Sequence, residues 1–309
     1  MVEQWCRAVP KRSAEAVRRE LMNSGLLDRR LRPTKDGENI LFPVTDENCA
    51  DFRADFESTK VQEELPRHEL IGGIAIMQDN DRAEARRLLA SRPVIHTVLH
   101  SESAVEGEFR TREFSVLAGK ETTATQYTEY GLSFTIDLAV AYFSARLANE
   151  RRRIVRQMAE GERVLDMFAG VGPFAIALAE KAEVVYAGDI NPGAVHLMIK
   201  NIQTNRKRNV IPILADACHL PGVLLDSSFD RIVMNLPMTS TAFIEAAIRL
   251  SREGGHIHFY TLQSETGEML PMLRKYTKGR ISEKVVRSYS PAQHHAVYDI
   301  EVKKGEFTV

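Results

Sequence analysis

The chain has 309 residues, 44% hydrophobic and 27% charged, with a formal net charge of −1. That length suits two or three domains, and the composition is that of an ordinary globular protein rather than a disordered or fibrous one. With no apolar run of about 18 residues and no signal peptide at Met1–Trp5, the sequence predicts a cytoplasmic protein without a membrane segment. Cys6, Cys49 and Cys218 stand far apart, which argues against a disulfide framework or a zinc site and fits a reducing compartment.

Residues 1–45 read as a small α/β unit. Ser13 is placed to cap a helix through AEAVRRELMNSG that stops at Gly25, and Asn39–Val44 reads as a strand. Within residues 1–35, nine basic residues (Arg7, Lys11, Arg12, Arg18, Arg19, Arg29, Arg30, Arg32 and Lys35) face four acids. Such a surface suits an anionic partner, and a solvated helix face is an equal alternative. Residues 46–67 are acidic and weakly periodic, and read as a linker. Residues 68–130 form a second small α/β region: a strand in HELIGGIAIMQ, a helix in DRAEARRLLASR, and strands in VIHTVLH and FSVLAG.

From residue 131 to 309 strands and helices alternate. A helix over IDLAVAYFSARLANERRRIVRQM precedes strand RVLDMF, and helix PFAIALAEKA precedes VVYAGD. Helix NPGAVHLMIKNIQTNR precedes NVIPILAD, DRIVMN is the next strand, and helix TAFIEAAIRLSR precedes GGHIHFYTL. A helix in SETGEMLPMLRKYT and strands ISEKVVRSYS and HHAVYDIEVKK follow. This alternation predicts a parallel sheet covered on both faces. The last two strands lack a helix between them, so they form a hairpin and one of them runs antiparallel.

Open α/β sheets bind ligands at the carboxyl ends of their strands. The first strand of the large domain ends in Asp166-Met167-Phe168-Ala169-Gly170-Val171-Gly172-Pro173, whose glycines allow a tight turn and close approach of a ligand. The next ends in Gly188-Asp189-Ile190, where an acid suits a ribose diol. The third ends in Asp216-Ala217, placed to accept from an adenine amino group. The fourth ends in Asn235-Leu236-Pro237, an amide followed by a rigid turn. A dinucleotide would set its pyrophosphate on the Gly loop. The carboxylate of Asp166 repels a pyrophosphate and welcomes the ammonium of S-adenosylmethionine.

Asp-x-Phe-x-Gly-x-Gly resembles the first motif of class I (Rossmann-like) methyltransferases, and the strand order with its terminal hairpin resembles their seven-stranded sheet. Asn-Leu-Pro, together with DMFAGVGPF and GDINP, resembles the archaeal and eukaryotic-type tRNA (guanine-37-N1)-methyltransferases. GEFRTREFSVLAG, EYGLSFTIDLAVAYFSARLANER, IPILADA, GGHIHFYT, RSYSPAQHHAVYDIEV and the basic VPKRSAEAVRREL extend the resemblance along the chain. It implies an N-terminal tRNA-gripping module, a supporting middle module and a C-terminal methyltransferase domain, acting on the anticodon loop and outer corner of tRNA as a monomer.

Guanine N1 is protonated at neutral pH, so methylation there needs a base, and charge then develops on O6. The resemblance places the base at Glu150 and the O6 cation at Arg110, with Arg112 as the alternative and Asn235 on the guanine edge. Arg146, one helical turn before Glu150, is expected on the same face, and Arg151, Arg152, Arg153 and Arg156 are expected to track phosphates. Ala145 stands where the family has proline. His256 and His258 are read as structural, with no metal. The rival reading is a related enzyme of wyosine biosynthesis acting on a tricyclic guanine derivative, and Asn-Leu-Pro argues for methyl transfer. A non-catalytic tRNA binder leaves Glu150, Asp189 and Asn235 unexplained, and a small-molecule methyltransferase leaves the basic module so.

Overall fold

The computed structural model describes residues 1–58, 65–103, 111–238 and 240–304. The chain divides into two compact units, residues 1–65 and 66–309. In the first, β1 (Val2–Pro10), α1 (Ala14–Asn23), β2 (Thr34–Asp36), β3 (Asn39–Pro43) and β4 (Phe52–Phe56) build an antiparallel sheet of order β2-β3-β1-β4. β4 lies inside the stretch read as a linker. Its Phe56 is fully buried with Cys6, Leu31 and Leu41, so this unit runs to residue 65 and not 45. Ser13 does not cap α1: its hydroxyl donates back to the Pro10 carbonyl at 3.2 Å. The basic surface is also thinner than its count suggests. Arg7, Lys11, Arg18, Arg19 and Arg30 pair with acids of the same unit. Arg12, Arg29, Arg32 and Lys35 are exposed and carry no ion pair among the described residues.

The second unit opens with β5 (His68–Ile71), β6 (Ile74–Met77), α2 (Arg82–Ser91), β7 (Thr97–Ser101) and β8 (Phe114–Gly119), a four-stranded sheet in sequence order. HELIGGIAIMQ, read as one strand, is a hairpin. At its tip Gly72 has φ +55°, and a Cβ there would lie 2.1 Å from the Gln126 carbonyl oxygen, so only glycine fits. A second hairpin, β9 (Ala124–Glu129) and β10 (Leu132–Asp137), crosses the boundary expected at 130/131. Ile71, Ile74, Ile76 and Leu99 share one core with Phe134, Ile136, Leu138, Phe143 and Ile176, which joins the middle region to the large sheet.

The rest comprises α3 (Ala148–Gln157), β11 (Glu162–Asp166), α4 (Pro173–Leu178), β12 (Ala182–Asp189), α5 (Pro192–Thr204) and β13 (Val210–Leu214). α6 (Leu220–Val223), β14 (Phe229–Met234), α7 (Ile244–Leu250), β15 (Ser251–Gln263), α8 (Leu270–Leu273), β16 (Ile281–Ser288) and β17 (His294–Glu301) complete it. The seven-stranded sheet has the order β13-β12-β11-β14-β15-β17-β16. All neighbours are parallel except β17, which opposes both β15 and β16, as the terminal hairpin predicts. The long helix expected over 136–158 is not formed. β10 takes Ile136 and Asp137, a turn follows, Ala145–Leu147 is a 3-10 turn, and only α3 is α-helical. Gly267, at φ +81°, and Pro271 confine the expected helix over 264–277 to α8. Among the described residues no helix is long and apolar enough to cross a membrane.

Candidate active site

The carboxyl ends of β11, β12, β13 and β14 surround a cavity of about 610 Å³. The loop after β11 makes its floor. Gly170 and Gly172 have φ +55° and +90°, the left-handed region that glycine adopts without strain, and Pro173 starts α4 directly after them. The loop is tied to both neighbouring strands: Met167 N donates to Val233 O at 3.0 Å and Ala169 N to Gly188 O at 2.9 Å. Asp189 fixes it further, accepting from Gly170 N at 2.7 Å and Asn191 N at 2.9 Å. Asp216 accepts from Cys218 N at 2.8 Å and caps the turn that follows β13. Each of these carboxylates retains lone pairs for a ligand.

After β14 the chain leaves the core through Asn235-Leu236-Pro237, and this turn is pinned to β15. Leu262 N donates to Pro237 O at 3.1 Å, and the buried Ser240 hydroxyl bonds the carbonyls of Leu236 and Tyr260. Asn235 is thereby held rigidly, and its Oδ1 is buried without a hydrogen-bond partner. Such an orphan is costly unless something binds it.

Phe168, Gly170, Asp189, Ile190, Asp216, Ala217 and Asn235 line this cavity as expected from the sequence. Asp166 and Gly172 do not: Asp166 is fully buried beneath the loop, and a Cβ on Gly172 would touch Met198 and Ile176 of the packed interior. Arg146 and Pro237 belong to a second cavity of about 330 Å³, which shares Asn235, Tyr142, Phe143, Ser144 and Leu147 with the first. Sequence reasoning missed the wall formed by Tyr142, Phe143 and Ser144, because their segment was read as helix. The alternation in Leu132-Ser133-Phe134-Thr135-Ile136-Asp137 is the signal that a strand ends there.

The electrostatics favour a cationic ligand over a pyrophosphate. Asp189 and Asp216 are the acids on the first cavity, and burial raises the Asp189 carboxyl, which a bound cation would relieve. Asp166, pushed up to about 7 by burial, lies beneath the loop and acts on a ligand only from behind it. The one arginine on the first cavity, Arg151, is already matched to Glu129 by two bonds. The acids at the strand ends and the orphan Asn235 Oδ1 fit a nucleoside ligand that carries positive charge.

Glu150 is buried and lines neither cavity. Its Oε1 accepts from Arg153 Nε and from the Tyr260 hydroxyl, both at 2.8 Å, and its Oε2 lies 3.8 Å from Lys284 Nζ. Arg146 does not share its face. The 3-10 turn before α3 changes the angular register, and Arg146 is exposed beside Glu69 at 3.3 Å. The arginines expected on phosphates are largely committed elsewhere: Arg151 to Glu129, Arg152 to Glu180, and Arg153 to Glu150 and Asp299. Only Arg156 is left exposed and without an ion pair among the described residues. Arg112 lines the second cavity, whereas Arg110 lies outside the described residues. His258 is structural, with Nδ1 2.6 Å from Asp299 and Nε2 2.7 Å from Arg231.

Comparison with known proteins follows the same lines. A model described as the TRM5/TYW2 methyltransferase domain matches residues 125–285, and one described as the tRNA methyltransferase 5 N-terminal domain matches residues 6–51. The tRNA (guanine(37)-N(1))-methyltransferase Trm5b of Pyrococcus abyssi is 35% identical over 327 aligned residues, covering 95% of this chain and 98% of that protein. The tRNA(Phe) (4-demethylwyosine(37)-C(7)) aminocarboxypropyltransferase of Methanocaldococcus jannaschii is 30% identical, covering 77% of this chain and 98% of that protein. The solved complex of aTrm5 and tRNALeu superposes with a TM-score of 0.71 at 29% identity, covering 97% of this chain and 100% of that one. The methyltransferase-domain match takes in all four strand ends around the cavity, and the similarity runs nearly from end to end, so the chain belongs to the TRM5/TYW2 methyltransferase family.

Proposed function

We propose that this protein is a tRNA methyltransferase that moves a methyl group from S-adenosylmethionine to N1 of guanine 37. The observation that carries this reading is Asn235. Its buried, unpartnered Oδ1 stands where the acid-rimmed cavity meets the second cavity. When bound in the first cavity, S-adenosylmethionine supplies a methyl group activated on a sulfonium. Asp189 accepts from the ribose hydroxyls and Asp216 from the adenine amino group. Asn235 accepts from the guanine edge, and the turn ending in Pro237 keeps it aimed. Glu150, held behind the cavities by Arg153 and Tyr260, takes the N1 proton once tRNA binding brings its carboxylate to the guanine edge or through a bridging water, and Arg110 or Arg112 supports the charge on O6. The protein acts as a monomer in the cytoplasm and grips the anticodon loop and outer corner of tRNA.

Methyl transfer is favoured over aminocarboxypropyl transfer by Asn-Leu-Pro and by the N-terminal match at residues 6–51. The test is incubation with methyl-labelled S-adenosylmethionine and unmodified tRNA carrying guanine at position 37, followed by nucleoside analysis. Labelled 1-methylguanosine is expected, and its absence refutes the proposal.

A further inference from the structure

Arg287 sits on β16 directly opposite His295 of β17, at an irregularity in the pairing of the two strands. Its side chain lines the second cavity together with Asn235. Its Nε is buried and has no hydrogen-bond partner, and no acid pairs with it among the described residues. The guanidinium lies 5.9 Å from the centroid of the Tyr289 ring. One cavity therefore holds an unpaired buried donor on Arg287 and an unpaired buried acceptor on Asn235. The Watson–Crick edge of guanine presents the complement: an acceptor at O6 and donors at N1 and N2. Adenine presents a donor at the 6-position, which an arginine cannot accept.

We propose that Arg287 is a catalytic cation for the methyl transfer, donating to O6 of the target guanine and selecting guanine over adenine by that oxygen. The inference rests on the function proposed above. As the N1 proton leaves, negative charge moves onto O6, and a fixed cation there stabilises the transition state more than the ground state. The other ionisable groups on this cavity are Glu69, Arg112, Tyr142, Arg146, Tyr289 and His295, and Glu69 is paired with Arg146. Arg287 adds to whatever Arg110 or Arg112 contributes.

The test is single-turnover methylation of tRNA carrying guanine 37, at saturating tRNA and cofactor, by wild type, Arg287→Lys and Arg287→Met across neutral to alkaline pH. Arg287→Met is expected to lose about 10²–10³-fold at neutral pH, the cost typical of removing one such donor. The loss shrinks as pH rises, because a guanine that ionises unaided needs less help at O6. Arg287→Lys retains an intermediate rate, and cofactor affinity is unchanged in both variants. A Met variant whose rate parallels wild type at every pH, or whose defect vanishes at saturating tRNA, assigns Arg287 to scaffold or phosphate and overturns this inference alone. Wild-type protein that forms no 1-methylguanosine overturns the underlying function with it.

Discussion

Asp166 and Asp189 end neighbouring strands, and burial acts on both carboxyls in the same direction. Asp189 offsets it with two backbone donors, whereas Asp166 has one at 3.4 Å and an Oδ2 with none. A carboxyl raised from 3.8 to about 7 binds its proton more tightly in the folded chain than in the unfolded one. Its contribution to stability is present below the unfolded value and is lost as pH rises through about 7. Asp166→Asn removes this dependence. Free of ligand, the variant should be more stable than wild type at pH 8 by about 1–3 kcal/mol, the usual cost of a buried unsatisfied polar group, with the gap closing on acidification. Urea melts across pH measure it, and a gap that persists at low pH contradicts the assignment. For Glu150 the isosteric change Glu150→Gln keeps the packing and should slow single-turnover methylation by about 10²–10⁴-fold with little change in cofactor affinity. An unaltered rate removes Glu150 as the base. The strand-end acids were legible in the sequence because a strand end fixes where a residue emerges. The partners of Glu150 were not, since Tyr260 and Lys284 reach α3 from strands far along the chain.

At the scale of elements, α5 is sewn to β10 by asparagines. Asn201 is fully buried, accepts from Thr135 N at 2.7 Å, and donates to Thr135 O at 3.1 Å and Val171 O at 3.0 Å. Its side chain thus acts as one more strand residue against β10 and holds the cofactor loop from behind. Asn205 does the same for Ser133. Asn201→Ala strands buried backbone groups and should cost about 2–4 kcal/mol, with weaker cofactor binding as the loop loosens. Chemical denaturation and calorimetric titration check the two effects, and a loss below about 0.5 kcal/mol, the range of ordinary surface substitutions, contradicts this account. The alternating strands and helices from β11 to β15 were readable from periodicity alone. The segment 138–147 was not. Leu138, Ala141, Phe143 and Leu147 fall at near-helical spacing, yet the first three fill a core shared with β6 and β7. Tertiary packing there overrides the local pattern.

For the molecule as a whole, every residue lining either cavity belongs to the unit spanning 66–309. A chain lacking residues 1–65 should therefore bind S-adenosylmethionine with near-native affinity. It should lose tRNA affinity, and the loss should diminish as salt rises, because phosphate contacts release counterions. Filter binding over a salt series measures this, and unchanged tRNA affinity would remove residues 1–65 from recognition. The division between the units was hard to read because β4 is short and lies among acidic residues, and only its pairing with β1 reveals it.

The reversal of β17 has one more consequence. Because β17 opposes both its neighbours, β16 runs with the five parallel strands, and the turn at 289–293 emerges at their carboxyl ends, beside the second cavity. The wall bearing Arg287, Tyr289 and His295 thus comes later in the chain than every residue around the first cavity, the last of which is Phe243. A nascent chain leaving the ribosome completes the lining of the cofactor cavity first and acquires the wall facing the base only after β17 has been made.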